Sequence, residues 1–235
     1  MKKIAPFISL CFLLLFCALG TAQKNQHARW EQLLSQYVSA NGNITYSDWQ
    51  KNTQELNAYI ETLAQLPPQN NWPKAQQMAY WINAYNALTV QLILQHYPLK
   101  SIKDLNKPWD QVVFKTRERD YSLNTIEHEI LRKMGDPRIH FAINCASRSC
   151  PKLQTKAYVG NLLNDQLEAA TKAFLLDTTK NNFTSNPPQV SRIFLWFGKD
   201  FGSRQERKAF LEKYIGKPLS SEKLDYLDYD WALNE

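Results

Sequence analysis

The chain has 235 residues, of which 28 are Lys or Arg and 22 are Asp or Glu, for a formal net charge of +6. That length suits one or at most two domains, and neither a Gly/Ser linker nor an internal repeat calls for two. The modest positive balance favours solubility, and with no Lys/Arg block interleaved with aromatics, nucleic-acid binding is not expected.

The chain opens MKKIAPFISLCFLLLFCALGTAQ, where Lys2 and Lys3 precede an apolar run that ends in the small residues Gly20, Thr21 and Ala22. This order predicts a secretory signal peptide over residues 1–22, cleaved after Ala22. The run is short for a membrane span, which needs about 20 apolar residues, and Phe16 before Cys17 is too bulky for a lipoprotein site. Residues 23–235 are then expected to form a single domain, periplasmic or secreted, with no integral membrane segment after cleavage. Its net charge falls from +6 to +4 once Lys2 and Lys3 leave. Cys11 and Cys17 leave as well, so Cys145 and Cys150 remain as one thiol pair in a compartment where disulfides persist.

ARWEQLLSQYVSA, residues 28–40, sets Trp30, Leu33, Leu34 and Tyr37 at helical spacing, with Gly42 as a stop. NITYSDWQKNTQELNAYIETLAQL predicts a short extended piece and a second helix, with Ser47 as N-cap. KAQQMAYWINAYNALTVQLILQHY is apolar all round and predicts a central buried helix. VVFKTRERDYSL predicts a hairpin turning through RERD. Asn124 with Glu127 three residues on suggests a capping box for TIEHEILRKM. RIHFAIN alternates as a strand, with Ile139, Phe141 and Ile143 on one face and His140, Ala142 and Asn144 on the other. A helix over 161–176, a Pro-broken loop at 187–188, a strand-like VSRIFLWF and a helix near 203–215 complete the chain. The class expected is α+β, with helices packed around a small, mostly antiparallel sheet.

Cys145 falls where this strand ends and the chain turns, a place where backbone N–H groups can lower a thiol's pKa or hold an oxyanion. With His140 or His128 as base and Glu127 as orienting group, the parts of a cysteine nucleophile are present. The alternatives stand beside it. Cys145 and Cys150 can close a disulfide, His128 can be a surface residue, His140 a satisfied half-buried one, and Glu127 a cap. A metal site built from His128, His140 and a cysteine is the third option, but the zinc spacings CxxC and HExxH are absent, and no metal or other cofactor is expected. Asn83 and Asn86 share one face of the buried helix, where an amide needs partners. Clamping loop backbone is one use for them and contacting a ligand is another. Asp200 and Asp230 are candidates to pair with Arg148 or Arg138. No GxSxG, Walker or GxGxxG motif occurs.

WINAYNALTV, YSLNTIEHEILR, PRIHFAINCASRSCPKL, VSRIFLWFGKDF and YLDYDWALN resemble, in that order, signature segments of the domain of unknown function 547 family. The resemblance runs from about residue 28 to the C-terminus and implies an exported bacterial protein, with no particular activity attached. It gathers the polar signature on Asn83, Asn86, Glu127, His128, Arg138, His140, Asn144, Cys145, Ser147, Ser149, Cys150 and Pro151. Two functions from different classes follow. One is a cysteine-dependent hydrolase or acyl transferase using Cys145, His140 or His128, and Glu127, with Asn83, Asn86, Arg138, Asn144 and Ser147 in binding roles. The other is a non-enzymatic binding or structural protein with a Cys145–Cys150 disulfide. The partner expected is a small-molecule or peptide-like ligand.

Overall fold

A computed structural model describes residues 26–235, so the expected signal peptide lies outside the described residues. Helix α1, Ala28–Tyr37, buries Trp30, Leu33, Leu34 and Tyr37, the face its spacing predicts. The single turn α2, Tyr46–Trp49, is separate from α3, Gln54–Gln65, so Ser47 lies inside a turn and caps neither helix. Helix α4, Lys74–His96, is buried on all sides from Met78 to Val90. It is the axis of the larger hydrophobic cluster, to which α1, α3 and the hairpin residues Phe114 and Tyr121 also contribute.

The hairpin forms as expected, with β1 (Val112–Lys115) antiparallel to β2 (Asp120–Ser122). A second two-stranded pair, β3 (Gln189–Val190) and β4 (Asp225–Tyr226), is parallel. Helices α5 (Leu163–Leu176), α6 (Ile193–Trp196) and α7 (Arg204–Ile215) follow in the second half. Helix α7 opens with a reciprocal capping box between Ser203 and Glu206. The class is α+β. No described helix is long and apolar enough to cross a membrane.

Two segments depart from the expected elements. RIHFAIN is not a strand: residues Pro137–Phe141 form a 3₁₀ helix, because Asp136 accepts the Arg138 N–H as N-cap and Pro137 occupies the first turn. With three residues per turn, Ile139 and Ala142 face the larger core, while Phe141 enters a second cluster with Phe174, Phe194, Phe201 and Leu211. The segment therefore sits between the two clusters, with His140 at the seam. VSRIFLWF likewise leaves the extended conformation after Val190, where the Ser191 hydroxyl accepts the Ile193 N–H and turns the chain into α6.

TIEHEIL, Thr125–Leu131, is a π-helix, with the Arg132 N–H reaching the Glu127 carbonyl. Its start is held by the Ser122 hydroxyl, which accepts the Thr125 N–H at 3.1 Å. Glu127 is free of capping duty and turns inward, 7% exposed. Such π segments recur at functional sites.

Candidate functional site

Four charged or ionisable side chains meet at the seam. Arg132 grips Asp200 with two parallel hydrogen bonds, Nε to Oδ2 at 2.6 Å and Nη2 to Oδ1 at 2.7 Å. His140 Nε2 is 2.8 Å from the same Oδ2. Arg132 Nη1 also donates to His128 Nδ1 at 2.8 Å. Burial pushes the Asp200 carboxyl up, but the Arg132 and His140 hydrogen bonds outweigh that and hold it below its ordinary value. An ionised Asp200 fixes the His140 tautomer with Nε2–H donating, which leaves Nδ1 as an acceptor.

Burial pulls the His140 pKa down to about 4 against the opposing pull of Asp200. We take the ring as neutral, since the Arg132 guanidinium already compensates the Asp200 charge. His128 is lowered too, by burial and then by Arg132. Glu127 moves the other way: burial raises it to about 7, although the Tyr85 hydrogen bond and Arg132 oppose the shift. Tyr85 donates to Glu127 Oε2 at 3.2 Å, and Glu127 Oε1 lies 4.0 Å from His140 Nδ1. Two carboxyl groups thus stand in one site with their pKa values moved in opposite directions, Asp200 down and Glu127 up.

Glu127, His128, His140 and Tyr85 open on a cavity of about 240 Å³, while Arg132 and Asp200 stand behind its lining. Glu127, His128, Asn124 and His140 line the cavity together with Cys145, Cys150 and Pro151. Tyr85, Trp109, Trp196, Phe197, Tyr229 and Trp231 supply an aromatic wall. Tyr229 packs 4.8 Å from Trp196 and 4.6 Å from Trp231, and Phe197 stacks on the His140 ring at 4.1 Å.

The cysteine loop is held from three directions. Cys145 and Cys150 stand at disulfide distance, with Cα atoms 6.2 Å apart. Asn144 spans the loop from inside, its Oδ1 accepting the Ala146 N–H at 2.8 Å and its Nδ2 donating to the Pro151 carbonyl at 2.7 Å. That bond keeps Ala146 at φ +60°, a left-handed conformation costly for a residue with a Cβ. The C-terminal tail lies along the outside: Arg148 N–H donates to the Ala232 carbonyl and Asn234 N–H to the Ala146 carbonyl. This pairing delivers the Tyr229 hydroxyl to the loop, within 3.3 Å of Cys145 Sγ and 3.2 Å of Ser147 Oγ.

Of the residues singled out by sequence, the cavity therefore brings together Glu127, His128, His140, Cys145 and Cys150. Among the described hydrogen bonds, none joins an imidazole to a sulfur. Asn83 and Asn86 clamp backbone: Asn83 exchanges two hydrogen bonds with Tyr158, and Asn86 bonds the Ala142 carbonyl and the Asn144 N–H. Ser147 meets Tyr229. Arg138 stands apart, tied to Asp136 and Glu168. Among the described residues, no group of three or more His, Cys, Asp and Glu side chains is arranged to hold a metal ion.

Asp200 pairs with neither Arg148 nor Arg138 but with Arg132, which sequence reasoning passed over although it lies one helical turn from His128. Tyr85, Tyr229 and Asp200 join the site without having been singled out for it. Their only sequence signal is membership of the polar-aromatic segments WINAYNA, GKDF and DYDW.

The model of the family described as Protein of unknown function, DUF547, matches residues 69–175. No curated protein and no solved structure matches the chain. The matched span carries α4, the hairpin, the π-helix and the cysteine loop, while Asp200, Tyr229 and Trp231 lie beyond it. The segment similar to the family Protein of unknown function, DUF547, is thus residues 69–175, which supply Glu127, both cavity histidines and the cysteine pair.

Proposed function

We propose that the chain is an exported protein, secreted or periplasmic, that binds a small-molecule or peptide-like ligand by a flat apolar group. The observation that carries this reading is that six aromatic side chains line one cavity together with a buried carboxyl, Glu127, whose pKa burial raises to about 7. At about 240 Å³ the space is below the roughly 300–1,000 Å³ usual for drug-sized ligands, which suits one ring system. Below pH 7 the Glu127 O–H can donate to a carbonyl or ring nitrogen on that group, and above it the donor is lost.

The test uses the tryptophans as reporters. Indole and benzamide are titrated into the mature protein while Trp emission is followed, and a saturable change is expected. Trp196 is 43% exposed at the rim, so Trp196→Ala should weaken binding by about tenfold, the worth of one aromatic contact, and leave the melting temperature alone. Absence of saturation with either ring compound would remove the reading.

A second reading, a cysteine-dependent hydrolase or acyl transferase, is favoured by one observation: Cys145, His140, His128 and Glu127 line the same cavity. It needs the sulfurs reduced and a free imidazole nitrogen brought to one of them, which for His140 is Nδ1, since Nε2 serves Asp200. The reduced protein would release p-nitrophenol from p-nitrophenyl acetate with a burst of one equivalent, and Cys145→Ser would abolish the burst. No burst in the reduced wild type would exclude it.

A further inference from the structure

The two sulfurs of the cysteine loop are in unlike surroundings. Cys150 is buried, 4% exposed, and its Sγ accepts the Cys145 N–H at 3.0 Å and the Tyr229 O–H at 3.2 Å. Cys145 is half-buried and so the more accessible of the two sulfurs lining the aromatic cavity; the Tyr229 oxygen is 3.3 Å from its Sγ as well, but among the described residues no backbone N–H is directed at it. The Ser147 hydroxyl donates to the Tyr229 oxygen, which leaves the phenol proton for a sulfur. Burial pushes the Tyr229 phenol up to about 12, so that proton stays in place. A neutral sulfur is a weak acceptor, so two donors converging on Cys150 gain most when that atom carries negative charge. Thiol–disulfide exchange creates this charge on the leaving sulfur, and a stabilised leaving thiolate departs faster.

We propose that Cys145–Cys150 is a redox-active disulfide that oxidises a dithiol entering through the aromatic cavity, with Cys145 the sulfur attacked and Cys150 the leaving group. One thiolate of the dithiol attacks Cys145 Sγ. A new S–S bond forms there, the Cys145–Cys150 bond breaks, and its electron pair leaves on Cys150, held by the Cys145 N–H and the Tyr229 O–H. The second thiolate of the dithiol then attacks its own partner sulfur in the mixed disulfide and expels Cys145. The dithiol departs as a disulfide, and its two electrons and two protons remain on the two cysteines. The loop keeps its shape through the cycle because the Asn144 side chain bridges Ala146 and Pro151 independently of the sulfurs. This chemistry goes beyond ligand binding and does not depend on whether ring compounds occupy the cavity.

The mature protein is incubated at pH 7 with dithiothreitol, or with a short synthetic peptide carrying two cysteines, and thiols are counted by alkylation and intact mass. We expect the folded protein to be reduced at least about tenfold faster than oxidised glutathione under the same conditions. Faster reaction with dithiothreitol identifies a small-molecule dithiol, and faster reaction with the peptide identifies a polypeptide one. Cys150→Ser, treated with oxidised glutathione, should trap a mixed disulfide at Cys145. Tyr229→Phe should slow reduction by about tenfold through loss of the leaving-group donor, with an unchanged melting temperature separating this from a packing defect. Reduction of the wild type no faster than that of oxidised glutathione, or only in denaturant, would overturn the proposal. So would an unchanged rate in Tyr229→Phe.

Discussion

Replacing Asn86 with Ala is expected to lower the free energy of unfolding by about 3 kcal/mol, since it strands two buried backbone groups at about 1–3 kcal/mol each. Asn86 is 2% exposed on α4, and its amide donates to the Ala142 carbonyl at 2.9 Å while its oxygen accepts the Asn144 N–H at 2.8 Å. Ala142 and Asn144 are buried as well, so water cannot replace either bond. Asn86→Asp is expected to be no better, because it keeps one acceptor but faces the Ala142 carbonyl with a second oxygen. Asn83, one turn earlier, clamps Tyr158 in the same two-bond manner. The two clamps hold different loops but stand at i, i+3 on one helix face, close enough to couple, so the double variant of Asn83→Ala and Asn86→Ala should depart from additivity by about 0.5 kcal/mol or more. Urea denaturation measures all three. The Asn86 variant carries a second signature, since Asn144 spans the cysteine loop: alkylation of the reduced pair should become faster as the loop frays. A loss under about 1 kcal/mol would mean that the amide is not the loop's anchor.

Those asparagines were legible because a polar residue on a helix that is apolar all round has few uses, and the i, i+3 spacing puts both on one face. The same local logic located α1, α4, the hairpin and α7. It failed at 137–143, where the alternation of Ile139, Phe141 and Ile143 outweighed a start signal, Asp136 followed by Pro137, that was present in the sequence. The two patterns compete over the same residues, and the cap is favoured where two cores compete for the side chains: Phe141 packs into one cluster and Ile139 into the other. A strand would have needed a neighbouring edge, which no local pattern specifies. The site shows the same divide. Glu127, His128, His140 and the cysteines fall within about 25 residues of one another in sequence and were read as a group. Asp200 and Tyr229 reach them across 60 and 84 residues, through a turn at Ser191 and a tail laid along the cysteine loop. Such partners are chosen by topology, and one sequence carries no mark of the choice.

Glu127→Gln is expected to stabilise the protein at pH 7.5 by about 2–3 kcal/mol and to leave it unchanged at pH 4.5, since one pKa unit is worth about 1.4 kcal/mol. The Glu127 pKa is raised by burial from 4.5 to about 7 in the folded chain. Between these values the folded state holds a proton that the unfolded state has released, so stability falls as pH rises through the window and is flat above it. Glutamine mimics the protonated acid and does not pay this penalty, while its oxygen can still accept from Tyr85. Three histidines act in the opposite sense, His128 among them, lowered by burial and then by Arg132. His27 and His140 are lowered by burial from 6.5 to about 4. Their contribution is complete above pH 6.5 and is lost as pH falls toward 4. Over the shared window these histidines together outweigh the one glutamate, so the wild type gains stability with pH, and Glu127→Gln steepens that slope by about 1.4 kcal/mol per pH unit. Denaturation curves of both proteins at pH 4.5, 6 and 7.5 test the sign directly, and identical stabilities at all three would mean that Glu127 titrates normally. A buried residue whose removal makes the fold stronger at neutral pH is not there for the fold. Its place in the wall of the cavity that the cysteine pair also lines is then the reason to look for what it binds or protonates.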